Sequence, residues 1–505
     1  MMLASASGRS FFEIMTAQII CFISGALLTL AFPRTNAHWL AWFALSPLMY
    51  YIYRLSGKRT LLCGAAFGFG FFGTLLFWIT IFGKLPFVLL VVFQTLFIVG
   101  FTVAAKLIGG CLEAWGRFIL LPALWTTFEW LRSLGLFGFT WGDLGYSQYK
   151  VLPLIQMASI TGVWGISFLL AMSNAALANL AAGRKSGDLS VGRAQVALVG
   201  AVVLGAFIFG RAALIRPIHG GPPIRAAIVQ GNISEEVQDA EYCRKATRAY
   251  DAMTQMAAAS GARLIIWPET VVPGCLGADL SLQRALTDLA TRSSAYLLVG
   301  GWHQDMRQRW YNTAFLFAPR TGFCGRYSKV HLVPYGEYVP ARKYTPFVKY
   351  YGVKPYDTSP GPGFNLIRAG SLKIGTAICF ESIFPDILGR MTTDGANLLC
   401  VITDDQWFKR SPAAEQHMAA SVLRAVENRR YLVRGAATGI SCIIDPHGRI
   451  LARADIFRAA ILQADVRTLS RLSFFTRHGS WAVYLSVILT IMFAGVAMLR
   501  AQGKP

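Results

Sequence analysis

Apolar residues fall into eight long runs, seven of them within the first 212 residues. They lie near 15–33, 38–53, 60–82, 86–108, 115–134, 161–181, 194–212 and 480–499. About 17–25 apolar residues cross a bilayer as a helix, so the pattern predicts seven spans and a final eighth. The second run is short, and the fifth carries Glu129. The first is followed at once by more spans and lacks a small-residue cleavage site, so it reads as a span rather than a removable signal.

Between 216 and 475 the period changes. Short β-prone runs occur at 224–230, 264–267, 296–300, 311–318, 372–378, 397–403, 432–436, 440–445 and 461–466. They alternate with helical periodicity at 235–259, 280–293 and 413–429. Such alternation predicts an α/β domain whose helices cover sheets. Residues 213–223, rich in Pro and Gly, form the hinge leading into it. The predicted organisation is a multi-span α-helical membrane domain over 1–212, an α/β domain over 213–475, and a last span with its tail over 476–505.

Charge decides how the spans are oriented. The 505 residues are 54% hydrophobic and 15% charged, with a formal net charge of +22. In a soluble chain that excess would suggest nucleic acid. Here it suits loops that fix membrane orientation and face anionic lipid, so no nucleic-acid partner is expected. With the N-terminus in the cytoplasm, inner loops and ends carry eleven Lys and Arg, among them Arg54, Lys58, Arg59, Arg184, Lys185 and Arg193. The outer loops carry four: Arg34, Lys84, Arg132 and Lys150. Seven spans then place 213–475 outside the cytoplasm.

The nine cysteines follow no disulfide framework, although an outside location permits a bridge among Cys243, Cys275, Cys324, Cys400 and Cys442. There is no zinc-type Cys/His spacing and no Gly-rich phosphate loop, so no metal or cofactor is expected. The aromatic, Gly-broken segment 135–148 reads as a loop dipping into the interface, or as the wall of a lipid groove. Glu129 and Arg132 are spaced to pair with each other along a helix. Loop 341–366, with its Tyr344, Phe347, Tyr350, Tyr351 and Tyr356, reads as a mobile lid or as a fixed loop on lipid.

Three runs deliver chemistry to element ends. Leu264-Ile265-Ile266-Trp267-Pro268 leads to Glu269, Gly325-Arg326-Tyr327-Ser328 to Lys329, and 372–378 to Cys379. A free thiol has a pKa of about 8.5 and needs a base or a cation to act as a nucleophile. Glu269 can take the proton, and Lys329 can stabilise a thiolate or an oxyanion. Each residue also has a plain reading: Cys379 as core packing, Glu269 as a cap, Lys329 as a surface charge.

Longer motifs surround these residues. Trp267-Pro268-Glu269, the segment Tyr327 to Glu337, and Ile378-Cys379-Phe380-Glu381 resemble the three signatures of the nitrilase, or carbon-nitrogen hydrolase, superfamily. More narrowly, the chain resembles bacterial apolipoprotein N-acyltransferases. That likeness also includes Val229-Gln230-Gly231-Asn232-Ile233, Asp405-Gln406-Trp407-Phe408, the stretch Arg424 to Arg430, and Gly142-Asp143-Leu144-Gly145-Tyr146-Ser147-Gln148. It runs over nearly the whole chain.

The resemblance implies a nitrilase-like α-β-β-α sandwich on a bacterial inner membrane, facing the periplasm. It implies Cys379 as nucleophile, Glu269 as general base and Lys329 as electrostatic stabiliser. Glu337 and Glu381 support them, and Phe380, Trp407, Asn232 and Tyr146 lie toward substrate. The implied donor is the sn-1 chain of a phospholipid, typically phosphatidylethanolamine. The implied acceptor is the α-amine of the diacylglyceryl-cysteine that begins an apolipoprotein, and a monomer suffices. The sequence departs from the family pattern at Phe380, where tyrosine is common, at Thr403-Asp404-Asp405-Gln406, at Asp239 and at Ala437. A membrane-tethered amidase, and a transporter or inactive scaffold, are the rival readings.

Overall fold

The computed structural model describes residues 2–233, 240–272, 274–344 and 357–502. Asp239 and residues 345–356 of the 341–366 loop lie outside the described residues. The chain divides into two compact units: Met1–Ala212 with Ser480–Pro505, and Ala213–Gly479.

The first unit is helical. Its elements are α1 (Met2–Thr29), a 3-10 turn His38–Trp42, α2 (Ser46–Ile52), α3 (Gly57–Leu75), α4 (Lys84–Gly109), α5 (Ala114–Leu131), α6 (Leu152–Ile155), α7 (Ala158–Ser186) and α8 (Ser190–Ile215). Among the described residues, four helices are long and apolar enough to cross a membrane: α4, α7, α8 and the last helix of the chain. The expected passage over 38–53 is not one α-helix. Pro47 stands in the first turn of α2, where its missing N–H costs nothing, and the chain upstream coils as a 3-10 turn instead. Helices α1 and α3 meet backbone to backbone. A Cβ on Gly25 would lie 2.3 Å from the Phe67 carbonyl, and one on Gly70 2.2 Å from that of Phe22.

One expectation in this unit is corrected. Arg132 pairs with Asp143, not with Glu129, and also donates to Gln94 Oε1 at 2.9 Å. Glu129 instead accepts from Trp125 Nε1 and from the Leu144 N–H, both at 2.8 Å. The 135–148 segment exposes Leu136 and Phe137, and residues 138–149 are buried. Trp141 stacks on Phe139 at 5.9 Å and meets Trp78 at 5.1 Å.

The second unit contains two six-stranded sheets. The first half of this unit builds β1 (Pro223–Gln230), α9 (Ala240–Ala259), β2 (Leu264–Ile266), α10 (Leu280–Ser293), β3 (Tyr296–Gln304), β4 (Trp310–Ala318) and β5 (Gly322–Ser328). The second half builds β6 (Ile367–Ala369), β7 (Leu372–Ile378), α11 (Pro385–Thr393), β8 (Leu398–Thr403), α12 (Ala413–Asn428), β9 (Leu432–Ala436), β10 (Ser441–Ile444), β11 (Ile450–Ala454), β12 (Ala460–Arg467) and α13 (Phe474–His478). Then α14 (Trp481–Gln502) returns to the first unit.

The sheet orders are β12-β1-β2-β3-β4-β5 and β11-β10-β9-β8-β7-β6. Strands β1, β2 and β3 run parallel, as do β7, β8 and β9. Side chains alternate across a strand, which sorts the core into layers. Ala227, Val229, Ile265, Leu297 and Val299 pack with Tyr250 and Ala257 of α9 and with Leu286, Leu289 and Ala290 of α10. Ile228 and Ile266 point the other way, where Gly435 of β9 lets the second sheet approach. Met391 of α11 lies over Gly375 of β7. The order is therefore helix, sheet, sheet, helix, the predicted α-β-β-α sandwich. Cys275, Cys324, Cys400 and Cys442 are free thiols. The Cys243 side chain lies outside the described residues.

Candidate active site

In parallel α/β sheets, ligands gather beyond the carboxyl ends of the strands, where several chain segments converge. Glu269 follows β2, Cys379 follows β7 and Asp404 follows β8. Lys329 follows β5.

Glu269 is buried, and its backbone presses on β3. A Cβ on Gly300 would lie 2.3 Å from the Pro268 carbonyl, so only glycine fits there. Its oxygens accept from Asn312 Nδ2 at 2.6 Å and from the Asp404 N–H at 2.7 Å. Lys329 Nζ stands 3.9 Å from Glu269 Oε1 and 2.8 Å from Glu337 Oε2. Glu337 also accepts from the Val333 N–H at 2.8 Å and from Asn312 Nδ2 at 3.3 Å. Asn312 therefore spans the two carboxylates that flank the ammonium.

Cys379 caps the end of β7 with φ at 53°, in the left-handed region that L-residues seldom occupy. A 3-10 turn, Cys379–Ile383, leads from it into α11. Glu381 braces this turn. One oxygen accepts from the Ile378 N–H at 2.8 Å. The other accepts from Tyr327 Oη at 2.8 Å and from the N–H groups of Val330 and His331 at 2.8 and 3.0 Å. All four partners donate, so the carboxylate form fits. Glu381 thus ties the cysteine turn to the strand and loop that carry Lys329.

The charges are set by burial and by one another. Burial pushes the Cys379 thiol up, the nearby Glu269 carboxylate pushes it further, and Lys329 offsets part of the effect. Burial also raises Glu269 above the usual carboxylate range, against the pull of Lys329. Burial opposes the charge on Lys329, but Glu337, Cys379 and Glu269 outweigh it and hold the ammonium on. Two donors on the Glu269 oxygens match its carboxylate form, which leaves a neutral thiol near a carboxylate and an ammonium. A proton can pass from thiol to carboxylate as a bond forms, without a free thiolate standing in wait.

The structure therefore brings Glu269, Lys329, Cys379, Glu337 and Glu381 together. Phe380 packs against Phe384 at 5.2 Å and His331 at 5.9 Å. Trp407 is 57% exposed at the end of a 3-10 turn, Asp405–Phe408. Asn232 sits just past β1 with φ at 51°, its N–H bonded to the Ala437 carbonyl. Tyr146 is buried in the helical unit. No metal-type cluster of His, Cys, Asp and Glu occurs among the described residues.

Sequence reading missed Asn312 and the network behind the cysteine. The signal for Asn312 was an amide inside a largely apolar strand, where a buried polar group needs partners. Behind Cys379, Asp405 pairs with Arg434 at 2.9 Å and lies 3.0 Å from His417 Nδ1, all three buried. Burial alone would raise Asp405, but the Arg434 guanidinium beside it leads the effects that outweigh burial and hold it down at about 2.

Two family profiles match the chain. Residues 24–176 match the apolipoprotein N-acyltransferase N-terminal domain, and 225–471 match carbon-nitrogen hydrolase. The apolipoprotein N-acyltransferase of Geobacter metallireducens is 35% identical over 499 residues, covering 95% of each chain. That of Nitrosomonas europaea is 30% identical, covering 91% of this chain and 93% of its own. An amidase from Nesterenkonia sp. aligns at 20% identity over 50% of this chain and 93% of its own, with a TM-score of 0.38.

Proposed function

The chain belongs to the apolipoprotein N-acyltransferase family, and from that premise we propose that this membrane-associated N-acyltransferase works through a thioester on Cys379. What supports this most is the grouping of buried Glu269 and Lys329 with partly buried Glu337 beside the cysteine turn. It supplies a base, an oxyanion partner and a clamp on that partner.

In the first half-reaction Cys379 Sγ attacks the sn-1 ester carbonyl of a glycerophospholipid such as phosphatidylethanolamine. Glu269 takes the thiol proton as the C–S bond forms. Lys329 faces the oxyanion, a preorganised charge in a site largely closed to water. The intermediate collapses, the C–O ester bond breaks, and Glu269 returns its proton to the departing lysophospholipid. In the second half the α-amine of a diacylglyceryl-cysteine attacks the thioester. Its proton passes by way of Glu269 to the leaving sulfur, and an amide remains. Splitting the transfer lets two lipid-anchored substrates use one site in turn.

Every group in this scheme comes from one chain, which supports action as a monomer. The Lys and Arg bias supports a bacterial inner-membrane topology: seven passages over 1–212, a periplasmic sandwich over 213–475, and a return passage within 476–505. In this topology 38–53 makes its passage as a broken element. A cysteine placed at Arg320 is expected to react with an impermeant maleimide in intact spheroplasts. One placed at Lys185 should react only after permeabilisation. The reverse pattern would overturn the topology.

The direct assay incubates the purified protein with acyl-labelled phosphatidylethanolamine and a diacylated lipopeptide. Label on the peptide amine is expected. Release of free fatty acid alone would turn the reading to an amidase-like hydrolase.

A further inference from the structure

We propose that His417 is a positioning residue for Cys379: held at Nδ1 by Arg434, which Asp405 anchors, its imidazole donates from Nε2 to the Cys379 carbonyl and fixes the turn that aims the thiol. The proposal rests on the reading of Cys379 as the nucleophile.

The geometry is a continuous chain of short contacts. Arg434 Nη2 lies 2.9 Å from Asp405 Oδ2 and 3.0 Å from His417 Nδ1. His417 Nδ1 is 3.0 Å from Asp405 Oδ1. On the far side of the ring, Nε2 lies 3.1 Å from the Cys379 carbonyl oxygen and 2.9 Å from Ser382 Oγ. Ser382 Oγ also donates to that same carbonyl at 2.9 Å. The Arg434 guanidinium is itself anchored, donating to the Ile440 carbonyl at 3.2 Å and to Ser421 Oγ at 3.3 Å.

The contacts assign the ring proton. With the proton on Nε2, the ring donates to the Cys379 carbonyl, and Nδ1 accepts from Arg434. One opposed pair remains, Nδ1 against Asp405 Oδ1. With the proton on Nδ1 alone, two pairs oppose: Nε2 against the Cys379 carbonyl, and N–H against the Arg434 donor. The first arrangement is the better matched.

Ser382, His417 and Asp405 form the sequence of contacts of a serine nucleophile with its base and orienter, but they do not serve as one. They are 0%, 1% and 2% exposed, so no substrate reaches Ser382. Its hydroxyl is spent on the Cys379 carbonyl.

Two donors on that carbonyl have two consequences. They hold the strained φ of 53° at Cys379, which sets where Sγ points. They also polarise the peptide unit joining Cys379 to Phe380, and hydrogen bonds at one end of an amide strengthen donation at the other. That N–H is the amide next to the reacting sulfur.

The test is single-turnover formation of the Cys379 thioester from labelled phosphatidylethanolamine in the full-length protein, with thermal unfolding measured alongside. His417→Leu is expected to slow acylation by about 10²-fold, the cost of small misplacement, with KM for phospholipid unchanged. His417→Gln, whose amide keeps a donor near the Nε2 position, should recover most of that loss. Should His417→Leu fail to fold, Ser382→Ala removes one of the two donors at little cost in volume and should slow acylation about fivefold. Wild-type acylation in either His417→Leu or Ser382→Ala, or equal slowing by leucine and glutamine, would overturn the proposal. Cys379→Ala separates the two readings. If it still forms an acyl-enzyme, the nucleophile is misassigned. If it is dead while His417→Leu is unaffected, only the role of His417 fails.

Discussion

Replacing Cys379 with alanine is expected to lower acyl transfer at least ~10⁴-fold, because removing a nucleophile leaves only binding and oxyanion stabilisation. Thermal stability should change little, since Glu381, rather than the thiol, holds the turn together. Cys379→Ser is the sharper variant. A serine hydroxyl is a far weaker acid than a thiol, so Glu269 loses the driving force to deprotonate it. Any acyl group it accepted would be an oxyester, which amines attack more slowly than a thioester. The serine protein should therefore form no acyl adduct that neutral hydroxylamine releases, whereas the wild type should. Transfer by Cys379→Ser at the wild-type rate would remove the cysteine from the mechanism.

How far such a site can be read in advance depends on the distance over which its parts interact. Cys379 and Glu269 were legible because each ends a short apolar run, and parallel strands gather such ends on one side, whereas Lys329 follows the mixed run Gly325 to Ser328 and stood out by its motif. An α/β domain was legible from the alternation of periods, and its α-β-β-α layering from the likeness to the nitrilase superfamily. Strands β5, β6 and β11 were not. β5 is interrupted by Gly325 and Arg326, β6 has three residues, and β11 leaves Ile450 and Leu451 exposed at a sheet edge. Nine-residue α11 is too short for its period to stand out. Helical spacing suggested that Arg132 would pair with Glu129, but folding of the 135–148 segment brings Asp143 to it instead. A local rule loses when a distant partner offers a buried, directly opposed charge.

The same limit applies around the cysteine. Glu381 was legible as a neighbour of Cys379, yet its work is with Tyr327, Val330 and His331, some fifty positions earlier. His417 lies on a helix whose residues are almost all buried, where spacing says only that it faces the core. Its partner Arg434 is a charged residue within the buried strand β9. A buried cation in a strand must be paired, so its presence alone announces an unseen anion. That anion is Asp405, in a motif already singled out for its likeness to the family.

Glu269→Gln is expected to cost about 10²–10⁴-fold in acylation, the range for loss of a general base. The substitution is nearly isosteric, but its effect reaches beyond the lost proton acceptor. Both Glu269 oxygens accept hydrogen bonds, from Asn312 Nδ2 and from the Asp404 N–H. A glutamine must turn an NH₂ group toward one of these donors and leave it unsatisfied. Lys329 also loses one of its two flanking carboxylates and keeps Glu337. The pH profile separates loss of the base from disturbance of the site. In the wild type, acylation requires Glu269 ionised and Cys379 protonated. Burial raises Glu269, so kcat/KM should rise with pH through a limb displaced above the ordinary carboxylate value of about 4.3. The rate should then stay flat through neutrality, because the thiol is pushed up as well. In Glu269→Gln that acid limb should vanish, and the remaining activity should climb with pH as the thiol ionises unaided. A variant that is slow but keeps the wild-type limb would show that Glu269 shapes the site while another group carries the proton.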